Sequence, residues 1–68
     1  MKLKTYSVIK SAIVNGIQER AYSGQVIAAS KEKALASIGA NRPRHCSQRA
    51  GVSIFSDRDG WTYLLAIV

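Results

Sequence analysis

The sequence predicts an α+β fold, a four-stranded antiparallel sheet with one helix packed on one face, in the order ββαββ. Three observations predict it. Asn15 and Gly16 separate two runs rich in Val, Ile, Thr and Tyr. Ser30 precedes a short helix-compatible stretch that ends near Gly39, Asn41 and Pro43. Beyond a turn at 57–60, residues 61–68 are apolar at nearly every position. The 68 residues are expected to form a single small domain.

The first strand is expected over residues 3–14, which hold β-branched and aromatic residues and neither Gly nor Pro. An Asn-Gly pair suits the two left-handed positions of a type I′ turn, so residues 17–28 should return as the second strand. That turn sets a register in which Val14 faces Ile17, Ile9 faces Tyr22 and Tyr6 faces Gln25. One face then carries Leu3, Ile9, Ile13, Tyr22, Val26 and Ala28. The other carries Tyr6, Val8, Val14, Ile17 and Ile27. Both are partly apolar, so the pattern leaves open which faces the core, and the second would suit a dimer or partner contact. A bulge near Ser23 and Gly24 would shift the outer half.

Ser30 is a good N-cap, and Glu32 in the first turn suits the positive end of the helix dipole. Ala34, Leu35 and Ile38 share a face at 100° per residue. Lys31 falls on the same side and must snorkel, while Lys33 points to solvent. A helix of about ten residues depends on a sheet for its stability. Residues 40–50 read as an Arg-rich connection and 52–56 as the third strand. Asp57, Arg58, Asp59 and Gly60 form a turn, and 61–68 form a fourth strand, central and covered on both faces. One helix cannot cover such a sheet, so its other face must be polar or meet a partner.

Ten Lys and Arg against four Asp and Glu give a formal charge of +6. With 47% hydrophobic residues the chain can still build a core, which excludes a disordered basic tail. A single cysteine cannot form an internal disulfide, and no apolar signal or membrane-spanning run is visible. The expected location is cytoplasmic.

The densest charge lies in the segment 42–49, with Arg42, Arg44 and Arg49, no acid, and the sole His, Cys and Pro of the chain. Guanidinium groups clamp phosphates or carboxylates through paired hydrogen bonds. Arg42, Arg44 and Arg49 are therefore the leading binding candidates, with Lys4, Lys10, Lys31 and Lys33 extending the patch. A solvated loop is the plainer reading. Tyr6, flanked by Lys4 and Lys10, hints at base stacking, but no RNP-like pattern accompanies it, and the aromatics fit a core better. One His and one Cys are too few for a zinc site, and adjacent residues on an extended segment diverge, which disfavours a Cys46–His45 catalytic pair. A ribonuclease using His45 as a lone base is a distant reading. Turn chemistry accounts for Asp57 and Asp59. No catalytic residue, metal or cofactor is expected.

Several of these pieces together resemble the ninth family of type I-F anti-CRISPR proteins, small phage-encoded inhibitors. They are Tyr6 with Ile9 and Lys10, the stretch Gln25, Val26, Ile27, Ala28, Ala29 and Ser30 entering a helix with Ala34, and Gly51, Ile54, Gly60 and Trp61. The resemblance implies an antiparallel sheet with a helix and no enzymatic activity. It further implies that basic residues grip a CRISPR surveillance complex and sterically block target pairing in a bacterial host. The adjacent basic pair in that family's helix falls on Leu35 and Ala36 here, so segment 42–49 would have to replace those contacts. A basic chain cannot mimic DNA. It must meet acidic protein or exposed phosphate, and a small nucleic-acid-binding protein is the alternative. A homodimer is a further expected state.

Overall fold

In a computed structural model, residues 2–68 are described. They form five strands and one helix: β1 (Lys4–Val14), β2 (Ile17–Ala28), α1 (Lys31–Ser37), β3 (Arg44–Arg49), β4 (Val52–Ser56) and β5 (Thr62–Ile67). The sheet is antiparallel throughout, in the order β2-β1-β5-β4-β3. The α+β class and the single helix agree with the sequence. The four-strand, ββαββ expectation is corrected to ββαβββ, because residues 44–49 form an edge strand within the expected connection.

The first hairpin starts as its turn dictates. Asn15 (φ 53°) and Gly16 (φ 79°) both take the left-handed region, and Val14 pairs with Ile17. Ser11 still pairs with Arg20, but Lys10 pairs with Tyr22, so Ala21 is an extra residue. The register therefore slips by one residue at Ala21, two positions before the expected bulge at Ser23 and Gly24. Ile9 faces Ser23 and Tyr6 faces Val26, not Tyr22 and Gln25. Because side chains alternate with period two, this slip moves the outer half of β2 to the opposite face. Tyr22, Val26 and Ala28 join Tyr6 and Val8 on the core side, which the uninterrupted register had separated. Gly24 serves a close approach: a Cβ there would lie 3.1 Å from the Tyr22 hydroxyl.

Tyr6, Val8, Ala28, Ala34, Leu35, Phe55, Tyr63 and Leu65 form the core, with Tyr22, Val26, Ile38 and Trp61 packed against it. The aromatics thus gather on the helix side of the sheet. The helix has seven residues, fewer than the ten expected. Ser30 caps it, its Oγ accepting from Lys33 N at 3.2 Å. It ends in a Schellman motif: Ala40 N donates to Leu35 O at 3.1 Å and Gly39 N to Ala36 O at 3.1 Å, with Gly39 at φ 82°. Lys31 is half-buried and Lys33 exposed, as the helical spacing requires.

β5 is the central strand, as expected. Its apolar character on both faces does not mean cover on both faces, however. Tyr63 and Leu65 are buried, whereas Leu64 and Ala66, on the side away from the helix, are only half-buried.

β3 and β4 are joined by Ala50 (φ 51°) and Gly51 (φ 80°), a second turn with both residues left-handed. Alanine tolerates that region poorly, whereas asparagine enters it readily. Ala50→Asn is therefore expected to stabilise the fold by about 0.5–1 kcal/mol. Thermal melting reads the gain, and an unchanged or lowered midpoint would contradict the turn assignment.

Candidate interaction surface

The turn between β4 and β5 anchors segment 42–49 at its base. Asp57 accepts four hydrogen bonds: from Tyr63 Oη at 2.7 Å, Trp61 N at 2.9 Å, Asp59 N at 3.0 Å and Asn41 N at 3.3 Å. Asn41 Nδ2 donates to Asp59 Oδ1 at 3.2 Å, and Arg58 N donates to Asn41 O at 2.9 Å. The chain leaving the helix is thus tied to the β4–β5 turn just before Arg42. Burial raises the Asp57 pKa, but the bonds from Tyr63, Trp61, Asn41 and Asp59 outweigh it and hold the carboxyl below its usual value. Burial, and then the bond to and charge of Asp57, push the Tyr63 phenol well above its usual range. The sequence attributed Asp57 and Asp59 to turn chemistry, which they perform. Their bracing of the arginine segment was not foreseen, because it joins residues 16 to 18 positions apart.

Arg42 follows at φ 49°, a strained region for a side chain that bulky. Pro43, which lacks an N–H, leads into β3, where every residue is exposed. His45 pairs with Phe55 and Ser47 with Ile54, so Cys46 is a bulge residue. His45 stacks edge-on to buried Phe55, ring centroids 5.1 Å apart, on the helix side. The exposed Cys46 Sγ lies 3.1 Å from Ser56 Oγ, on the other side. The imidazole and thiol therefore diverge across the sheet, as the extended backbone implied. Arg44 and Arg49, opposite Ser56 and Val52, belong to the face away from the helix. Charged residues and a bulge on an edge strand also discourage edge-to-edge aggregation.

The other basic candidates stand elsewhere. Lys10 is half-buried on the helix side, its Nζ 4.8 Å from the Trp61 ring centroid and 5.8 Å from that of Tyr63. Lys31 and Lys33 lie in the first turn of α1. Lys4 is opposite Ala28, two residues before the helix cap. The seven expected binding residues thus divide into a β3 edge group (Arg42, Arg44, Arg49), a helix-end group (Lys4, Lys31, Lys33) and Lys10 over its aromatic neighbours.

One arginine was missed. Arg20 pairs with Ser11, which pairs in turn with Thr62, then Ser56, then Arg44. A single cross-strand row therefore runs through all five strands on the helix-free face, with an arginine at each end. The turn register alone sets Arg20 opposite Ser11; the Ala21 bulge instead moves Tyr22, Val26 and Ala28 off this face and into the core.

No protein-family model matches the chain, and no curated protein or solved structure is significantly similar to it.

Proposed function

We propose that this chain is a non-enzymatic binding protein that acts by occupying an anionic surface of a larger assembly, with Arg42, Arg44 and Arg49 as its principal contacts. The observation that carries the reading is the presentation of these residues. Arg44 and Arg49 lie on an exposed edge strand without a carboxylate, Arg42 stands two residues before it, and the backbone before them is pinned to Asp57. Pre-ordering of this kind lowers the entropy lost on binding, which a free arginine loop would bear in full. The assembly implied by the family resemblance is a CRISPR surveillance complex, and the mechanism is steric: the bound chain stands where guide and target must pair. On this reading the basic edge meets an acidic protein patch, with Lys4, Lys31 and Lys33 available for a second contact at the helix end.

The test is the combined variant Arg42→Ala, Arg44→Ala and Arg49→Ala, assayed for association with a purified type I-F surveillance complex and for block of target-DNA binding. Affinity is expected to fall at least ~10-fold, since removing charges from an interface weakens both encounter and retention. Unchanged inhibition by a monomeric, folded variant would leave these arginines with edge protection alone.

Direct nucleic-acid binding is the second reading, favoured by the same unopposed edge charge. If each arginine met a duplex phosphate, the triple variant would lower the slope of log affinity against log salt by about 2.7. Salt-sensitive, submicromolar binding of the wild-type chain to DNA or RNA would favour this reading over the first.

A further inference from the structure

We propose that the helix-free face of the sheet is the docking platform, and that its occupant is a protein surface with an apolar centre between two carboxylate clusters. This deepens the binding reading above and rests on it. The cross-strand register supplies the geometry. Arg20 and Arg44 end one row, separated by Ser11, Thr62 and Ser56. The next row holds Ile9, Leu64 and Ile54, between Ser23 and Ser47. A third row ends in Arg49, beside Val52. Four strand spacings separate the two edge strands, which puts the arginine-bearing borders about 19 Å apart.

Charge and chemistry together select the occupant. The four carboxylate residues stand off this face: Glu32 is on the helix, Asp57 and Asp59 are in the β4–β5 turn, and Glu19 points to the other side of the hairpin from Arg20. Three arginines therefore face outward around half-buried aliphatic side chains that no other element of the described residues covers. An apolar centre with a charged rim is the anatomy of a protein interface. A second copy of this chain is disfavoured, because each copy brings +6 and face-to-face packing would set arginines against arginines. Single-stranded nucleic acid is disfavoured too, because stacking needs aromatic platforms, and Tyr6, Tyr22, Phe55, Trp61 and Tyr63 all lie on the helix side. An acidic-rimmed protein surface satisfies both the charge and the aliphatic rows.

Selection of random peptides about 16 residues long, enough to span the face as a helix, provides the probe. Enriched peptides should carry Asp or Glu on both sides of an apolar centre and shift the amide resonances of Ile9, Leu64 and Ile54 in the labelled chain. Arg20→Glu should weaken the enriched peptide at least ~10-fold, and a peptide with Lys at the facing position should recover affinity for that variant, which mere loss of structure cannot produce. Leu64→Thr keeps β-propensity and should weaken the same peptide without lowering the melting midpoint by more than a few degrees.

No enriched peptide, peptides lacking acid, or shifts confined to the helix side would overturn the proposal. So would oligothymidylate moving the same three amides, or sedimentation as a dimer that Leu64→Thr dissolves. Arg20 and Leu64 lie outside segment 42–49, so the two readings fail separately. If the triple arginine variant loses its target while Arg20→Glu and Leu64→Thr keep it, the binding function stands and this platform falls.

Discussion

Leu35→Ala is expected to remove a large share of the protein's stability. Leu35 is fully buried, and with Ala34 it forms the buried face of α1. A seven-residue helix has no stability of its own, so it exists only while that face is packed on the sheet. Leu-to-Ala changes at buried sites cost about 2–5 kcal/mol, the lost transfer energy plus a cavity. A domain of this length has roughly 3–10 kcal/mol in all, on the usual per-residue scale. The variant should therefore lose a large share of its stability, with a melting midpoint lower by on the order of 10–30 °C. Urea denaturation followed by Trp61 fluorescence measures the loss, because Trp61 packs against the same core. An unchanged midpoint would mean that the helix contributes nothing to the fold.

Asp57→Ala should be the second most damaging change, although the residue is a turn carboxylate. It removes the acceptor of four hydrogen bonds and leaves the hydroxyl of Tyr63, whose side chain is fully buried, without its partner. Stranding a buried donor costs about 1–3 kcal/mol, and loss of the turn bonds adds to it, so the expected destabilisation is about 2–4 kcal/mol. Tyr63→Phe removes the donor as well and should cost less.

The pH dependence follows from the same contacts. The Asp57 pKa is depressed in the fold, so its stabilisation is complete above the ordinary carboxylate value and is lost as pH falls through the folded value. Stability should decline below about pH 4, and Asp57→Asn should flatten that decline. The Tyr63 pKa is raised, so its contribution holds below the ordinary phenol value and is lost as pH rises above it. A wild-type acid limb identical to that of Asp57→Asn would disprove the role of this carboxylate. Asp57→Ala should also weaken binding beyond its effect on folding, because Asn41 loses the carboxylate that steadies the approach to Arg42.

Local chemistry made much of the fold legible. Asn15 and Gly16 determine a turn through their own backbone preferences, Ser30 caps whatever helix follows it, and Gly39 ends that helix because its φ is positive. Strand β3 was hidden for the opposite reason. Arg44, His45, Cys46, Ser47, Gln48 and Arg49 lack both β-branched residues and apolar alternation, since an exposed edge strand buries neither face. The one signal available was Ala50-Gly51, two residues before a clear strand, which is hairpin spacing with an unpromising first residue. Of the site, the arginines were visible as composition, but their grouping was not. Lys10 lay close to Tyr6 in sequence and came to rest over Trp61, 51 positions away.

The sequence by itself determined the α+β class, the first turn, the helix cap and stop, the central apolar strand and the strongly basic charge. Each of these depends on a residue and its near neighbours. Tertiary structure alone decided the strand order, which sets β1 beside β5, and the phase of β2 beyond Ala21. It also decided that the second apolar face of β5 would be left open. The physical reason is that these outcomes rest on hydrogen bonds and packing between distant segments. A single extra residue in one strand exchanges its two faces while leaving its composition unchanged.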